Sequence, residues 1–291
     1  MFFPWHKYKE IPLDRRNTLQ IFITNKCNLK CTGCFARHVM RADGDYISVE
    51  EYTNVIETLV SKGGKQVNML GGEPLLHSKL PELISINKSY DLSTTIYTNG
   101  KLLDRWTVEQ IQGAKFRVSM CSADMRVKSV FKVPQNPHKF DANYMLSKDT
   151  TVEDLLKCAY YFETNFPLCS KLFVFSMREL DNPRKEFFDD TEHTPSCMQY
   201  KEIVHKFLNE YQGNLKIDIS KRGVFESTKT LPDTKCRFAN YFIGGKIIQC
   251  PYDVVNLKFQ KDYEFGVRNC QQNNTCLMSK IKLVKNINRN L

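Results

Sequence analysis

Apolar and polar positions follow two different periods along this chain, and the switches between them mark out its elements. Leu19 to Thr24 is a short apolar run rich in β-branched and aromatic residues, the pattern of a buried strand. Ser48-Val-Glu-Glu51 then forms a capping box, and Val49, Tyr52, Val55, Ile56, Leu59 and Val60 recur at helical spacing until Gly63-Gly64 stops the helix. Gln66 to Leu70 predicts a second strand. Pro81 suits the first turn of a helix running to Tyr90, and Ser93 to Tyr97 predicts a third strand ending in Thr98-Asn99-Gly100. Leu102 to Gln112 reads as helix and Lys115 to Met120 as a fourth strand. Thr151-Val-Glu-Asp154 opens a helix with Val152, Leu155, Leu156, Ala159 and Tyr160 as its apolar positions, and Lys171 to Met177 makes a fifth strand. A helix over Cys197 to Tyr211, with Tyr200, Ile203, Val204, Phe207 and Leu208 at helical spacing, precedes a sixth strand at Leu215 to Ile219.

Six strands alternating with helices imply a parallel sheet with helices outside it, because parallel neighbours need a crossover connection. The expected fold class is α/β, a partial (β/α)6 TIM-like barrel. Two stretches are too long and polar for routine connections. Cys121 to Thr150, with Pro134 and Pro137, reads as a substrate-covering loop or an excursion without structure, and Arg178 to Ser196 is similar and charged.

Sheets of this kind carry their chemistry on loops at the carboxyl ends of the strands, and the unusual motifs fall there. After the first strand, Cys27-Asn-Leu-Lys-Cys31-Thr-Gly-Cys34 puts three thiols within eight residues. Three thiolates can hold three irons of a cubane cluster and leave one iron open, whereas a closed structural site takes four protein ligands. The competing assignment is a zinc site that borrows a fourth ligand such as His38. After the second strand stands Gly71-Gly72-Glu73-Pro74, whose glycines let the backbone approach a ligand and whose glutamate can accept from an ammonium group. Thr98 and Asn99 follow the third strand, Ser119 ends the fourth and Arg178 follows the fifth, at positions where turn chemistry alone also favours polar residues.

Composition narrows the setting. Eleven cysteines without an export-type apolar segment at the start argue for reduced thiols in a cytoplasmic protein, so clustered cysteines are metal or redox ligands before they are disulfides. No run approaches membrane-spanning length. The net charge of +10, from 42 basic and 32 acidic residues, fits a phosphate-bearing partner in sign only. No basic motif with interleaved aromatics accompanies it, so nucleic acid is not the expected partner.

The C-x3-C-x2-C loop after a strand, followed by Gly-Gly-Glu-Pro, resembles the radical SAM superfamily. The resemblance implies that Cys27, Cys31 and Cys34 bind a [4Fe-4S] cluster whose open iron chelates S-adenosylmethionine. It also implies that Gly71, Gly72, Glu73 and Pro74 meet the methionyl amino group, with Thr98, Asn99, Ser119 and Arg178 as further cofactor contacts. Gly33 stands where the family commonly has an aromatic residue, and Phe35 follows the last cysteine instead. In that family an electron from a donor such as flavodoxin or ferredoxin splits the cofactor, and the resulting 5'-deoxyadenosyl radical takes a hydrogen atom from a peptide or small-metabolite substrate.

Cys236, the G-x4-C pair Gly245 and Cys250, and Cys270-x5-Cys276 resemble the SPASM extension or its shortened twitch form. This implies a core over residues 1–222, an extension over 223–291 and a probable second [4Fe-4S] cluster, although a four-thiolate zinc site satisfies the same spacing. Cys121 and Cys197 are candidates to donate a hydrogen atom to a substrate radical, and Cys158 and Cys169 read as packing. Two other functions compete with the leading one. A glycyl-radical activase shares the first cluster but leaves the second thiol set unexplained, and a non-catalytic iron–sulfur or zinc scaffold would not cleave the cofactor.

Overall fold

The computed structural model describes residues 17–31, 34, 44–119, 138–176, 195–219 and 240–248. In chain order the elements are β1 (Thr18–Thr24), α1 (Val49–Ser61), β2 (Gln66–Gly71), α2 (Leu80–Ser89), β3 (Ser93–Thr98), β4 (Ala114–Ser119), β5 (Phe140–Leu146), α3 (Val152–Asn165), β6 (Cys169–Ser176), α4 (Cys197–Glu210), β7 (Lys216–Ile219), β8 (Asn240–Ile243) and β9 (Lys246–Ile248). The strands form one sheet in the order β7-β6-β5-β4-β3-β2-β1-β8-β9. Strands β1 to β8 run parallel to their neighbours, and β9 returns antiparallel to β8 through Gly244-Gly245, both at positive φ as a two-residue hairpin turn requires. The sheet is open, with β7 and β9 at its edges.

The expected parallel, partly closed α/β architecture is present, with three differences in detail. The stretch 121–150, read as a loop, contains β5, an interior strand between β4 and β6. Asp141 and Asn143 occupy the inner face and interrupt the apolar run, while Phe140, Ala142, Tyr144 and Leu146 are buried toward the helices. Residues 102–112 form only a 3-10 turn at Leu103–Arg105 and further turns. Thr107 and Gln110 exchange the bonds of a capping box there, but the Trp106 indole is directed to the Leu75 carbonyl (3.2 Å) and the segment closes at Gly113 with φ 100. Finally, β8, which falls in the stretch 223–291 expected to form an extension, pairs with β1 in register Leu19 to Asn240.

Each strand presents one face to the helices, and that face is the core. Leu19, Ile21 and Ile23 of β1, Val67 and Met69 of β2, and Leu172 and Val174 of β6 are at most 1% exposed. They pack with Tyr52, Ile56 and Leu59 of α1, Leu155 and Phe162 of α3, and Tyr200 and Phe207 of α4 in one hydrophobic cluster. Helix starts follow their caps: Ser48 accepts from Glu51 N, while Thr151 and Ser196 form full capping boxes with Asp154 and Gln199. Inside the core, Tyr52 donates to Asn87 (2.8 Å) and Asn87 donates to Thr94 (3.0 Å), tying α1, α2 and β3 together. The opposite, inner face of the sheet is polar over much of its width. Among the described residues no helix is long and apolar enough to cross a membrane.

Candidate active site

At the carboxyl end of β1 the chain leaves the sheet as the cysteine loop, and its course is fixed by backbone bonds to β2. Gly72 N donates to Thr24 O (2.8 Å) and Glu73 N donates to Lys26 O (2.8 Å). Neither glycine can be replaced without moving the loop. A Cβ on Gly71, at φ 145, would fall on the Thr24 carbonyl, and one on Gly72 would fall on the Lys26 carbonyl. The other side of the β1 end is held by Thr24, whose hydroxyl donates to Asp45 O (2.9 Å), and by Asn25 N donating to Asp45 O (3.2 Å).

Glu73 is the centre of the site's hydrogen bonding. Its side chain is 0% exposed. One carboxylate oxygen accepts from Leu75 N (3.0 Å) and the Thr98 hydroxyl (2.6 Å), and the other accepts from Asn99 N (2.8 Å). Burial raises its pKa and these three donors oppose the rise. The sequence assigned Glu73 to an ammonium contact; here the carboxylate joins the turn after β2 to the turn after β3, and the backbone it fixes is the surface facing the cysteine loop. Thr98 also accepts from Gly100 N (2.9 Å), and Asn99 donates to Asn28 Oδ1 (2.7 Å), inside the cysteine loop. Asn28 was not legible from the sequence, since an asparagine between two cysteines has no pattern of its own.

Cys27, Cys31 and Cys34 are all half-buried. Leu29 N donates to the Cys27 sulfur (3.4 Å), and Cys34 N donates to Cys31 O (3.2 Å), curling the loop so that its thiols face one region. Burial, followed by the charges of Cys34 and Cys27, pushes the Cys31 thiol up to about 11, and Lys101 partly offsets this. Burial also raises Cys27. Among the described residues no three His, Cys, Asp or Glu side chains converge as they would on a single metal ion. A cubane cluster gives each thiolate its own iron, so its ligands stand apart by the width of the cluster. Three half-buried thiols on one loop suit a [4Fe-4S] cluster with one open iron; His38, the fourth ligand a zinc site would borrow, lies outside the described residues.

Ser119 ends β4 half-buried, opposite Asn143 of β5. Pro74 begins the 3-10 turn after Glu73 and is buried. Cys197 is the first residue of α4. Phe35, Cys121, Arg178, Cys236, Cys250, Cys270 and Cys276 lie outside the described residues. Cys158 and Cys169 are buried free thiols, both raised by burial, Cys169 to about 12, and both belong to the hydrophobic core.

Residues 21–130 match the family model described as the Radical SAM superfamily. The GTP 3',8-cyclase of Chlorobaculum tepidum is 38% identical over 89 residues, covering 30% of this chain and 27% of the relative. The Fe-coproporphyrin III synthase of Methanosarcina barkeri is 31% identical over 99 residues, covering 34% and 25%. The matched segment is thus about a quarter of each curated relative's length. Among solved structures, Streptococcus suis SuiB bound to its precursor peptide SuiA has a TM-score of 0.61 at 16% identity, covering 97% of this chain and 68% of that one, and shares the fold. SuiB bound to S-adenosylmethionine superposes at a TM-score of 0.51 and 19% identity, over 72% of this chain and 50% of that one. With three thiols on the β1 loop and the Gly-Gly-Glu turn locked against them, residues 21–130 carry the features of the family model they match, that of the Radical SAM superfamily.

Proposed function

We propose that the protein is an enzyme that cleaves S-adenosylmethionine reductively and takes a hydrogen atom from a peptide or small-metabolite substrate. The observation that carries this reading is the interlock of the cysteine loop with the two strand-end turns: Gly72 and Glu73 hold the loop through Thr24 and Lys26, and Glu73 holds Thr98 and Asn99. When bound, the cluster and S-adenosylmethionine supply the one-electron chemistry of the superfamily. Cys27, Cys31 and Cys34 would hold the iron. The backbone of Gly71 to Pro74, with Thr98, Asn99 and Ser119, would position the cofactor, and the interlock keeps that surface in place before anything binds. Phe35 and Arg178 are proposed to complete the cofactor site.

The remaining assignments extend the same reading. Cys236, Cys250, Cys270 and Cys276 are proposed to hold a second cluster in a twitch-like extension over 223–291, following the core over 1–222. Four protein thiolates would saturate such a cluster, leaving it to pass electrons or shape the substrate end. Cys121 and Cys197 are proposed hydrogen-atom donors. A flavodoxin or ferredoxin would deliver the electron in the cytoplasm. The family match at residues 21–130 spans the proposed cluster loop and the turns after β2 and β3, and the rest of the sheet is proposed to select the substrate.

Anaerobic reconstitution followed by dithionite tests the reading. Release of 5'-deoxyadenosine dependent on Cys27, Cys31 and Cys34 is expected. An intact cluster that never yields it, with or without candidate substrates, would reduce the protein to a scaffold.

A further inference from the structure

The inner face of β4 to β7 carries a chain of alternating charges. The Arg117 guanidinium lies 3.4 Å from Asp141 Oδ2, Lys171 Nζ lies 3.5 Å from the same oxygen, and Lys171 Nζ lies 2.9 Å from Asp218 Oδ2. Two cations and two anions cancel, and the series ends on a carboxylate whose second oxygen is open. Among the described residues, Asp218 Oδ1 and Asn143 Oδ1 are buried acceptors without a partner, and the donor Arg117 Nε on the same face is unmatched as well. Both residues are 6% exposed. Buried acceptors are rarely left unmatched, because each forfeits its bond to water and gains nothing in return. Two on one face, on β5 and β7 with β6 between them, point to a ligand that carries donors.

Register gives the ligand's shape. Asn143 stands opposite Phe173, and Phe173 stands opposite Asp218, so the two acceptors flank one aromatic ring across three strands, roughly 10 Å from backbone to backbone at the usual strand spacing. Phe173 stacks on Phe175 (5.6 Å) and has the Arg117 guanidinium 5.9 Å from its ring centre, ground on which a flat, delocalised cation rests well. The row continues to Ser119 at the strand-end level where the cofactor surface begins.

We propose that Asn143, Phe173 and Asp218 form the subsite for a cationic, multi-donor group of the substrate, a guanidinium by its width and its fork of N–H donors. This rests on the reading of the protein as a radical SAM enzyme, since it names the chemistry of that enzyme's substrate. A series ordered plus, minus, plus, minus takes a positive group as its next member, and the balanced charge already present does not repel it.

The test is calorimetric binding to the anaerobically reconstituted full-length protein with S-adenosylmethionine, using N-acetyl-argininamide against N-acetyl-citrullinamide, which matches its shape without the charge. The arginine compound is expected to bind at least tenfold more tightly. Asp218→Asn and Asn143→Leu should each reduce it to the citrulline level, and Asn143→Leu should also raise the melting temperature by removing an unmatched acceptor. Equal affinity for the two compounds, no binding of either, or undiminished arginine binding in the folded Asn143→Leu variant would overturn the proposal. Release of 5'-deoxyadenosine from the same samples reports separately on the enzymatic reading, so either can fail alone.

Discussion

The cysteine loop at the carboxyl end of β1 and the inner face of β4 to β7 belong to one sheet, yet they are fastened by different means. Around the loop most bonds involve the backbone, joined by the Thr24, Thr98 and Asn99 side chains, and each carboxylate oxygen of Glu73 has a donor. On the inner face the bonds run between side chains, with Asp141 and Lys171 each shared by two partners, and among the described residues they leave Asp218 Oδ1, Asn143 Oδ1 and Arg117 Nε unmatched, against Asn25 Oδ1 alone beside the loop. Backbone fastening tolerates little change in sequence or shape and suits a ligand that is always the same. Side-chain fastening can be re-specified one residue at a time, which suits the part of a family that differs between substrates.

Substitutions can break this contrast. The largest effect is expected from alanine at Cys27, Cys31 or Cys34, which removes an iron ligand outright; loss of cluster absorbance and of 5'-deoxyadenosine release should be complete in each. Gly72→Ala comes next. Its Cβ meets the Lys26 carbonyl, so the loop must shift, and a cost of about 3 kcal/mol in urea unfolding is expected together with lower iron retention. Glu73→Gln keeps the volume but sets an amide nitrogen against one of the three donors, for about 2 kcal/mol. If Glu73→Gln unfolds at the wild-type urea concentration, the tight side of the comparison is not tight.

His77 supplies a pH test. Its Nδ1 accepts from Lys79 N (3.1 Å), its Nε2 faces Ile47 O (3.0 Å), and burial lowers its pKa below 6.5. The unfolded chain then binds the proton more readily, so the stability owed to neutral His77 is present above about pH 6.5 and is lost as pH falls toward the folded pKa, by at most about 1.4 kcal/mol per unit. His77→Gln should flatten that slope in urea melts between pH 7 and 5. The smallest effect belongs to the other region. Lys171→Met breaks two pairs, one to Asp141, both these side chains being about a quarter exposed, and one to the buried Asp218, and is expected to cost about 1 kcal/mol. A loss well above that of Glu73→Gln would reverse the contrast.

The same division explains what the sequence disclosed. Cys27, Cys31, Cys34 and Gly71-Gly72-Glu73 are local patterns whose spacing is itself the signal, and all lie on the two turns that the structure brings together. Strand β5 escaped because inner-face polarity at Asp141 and Asn143 interrupts the run from Phe140 to Leu146; a strand serving a polar interior does not look buried. The helix expected over 102–112 failed because Trp106 and Arg105 reach across to Leu75 O, a tertiary preference that local spacing cannot carry. The partnership of Asn99 with Asn28, far apart in the chain, is of the same kind.

The parallel pairing of β1 with β8 has a consequence for how the molecule comes into being. β1 finds β2 soon after both are made, but the partner for its other edge, from Leu19 opposite Asn240 to Ile21 opposite Phe242, arrives only near the end of the described chain. Until then a strand of mostly apolar residues waits with one row of amide and carbonyl groups unsatisfied, next to the loop that must later take up iron. Such an edge is a template for wrong pairing, and joining ends so distant is slow. Chains cut short before residue 240 are therefore expected to aggregate during synthesis, and a ribosome pause upstream of β8 would be more dangerous to this protein than one after it.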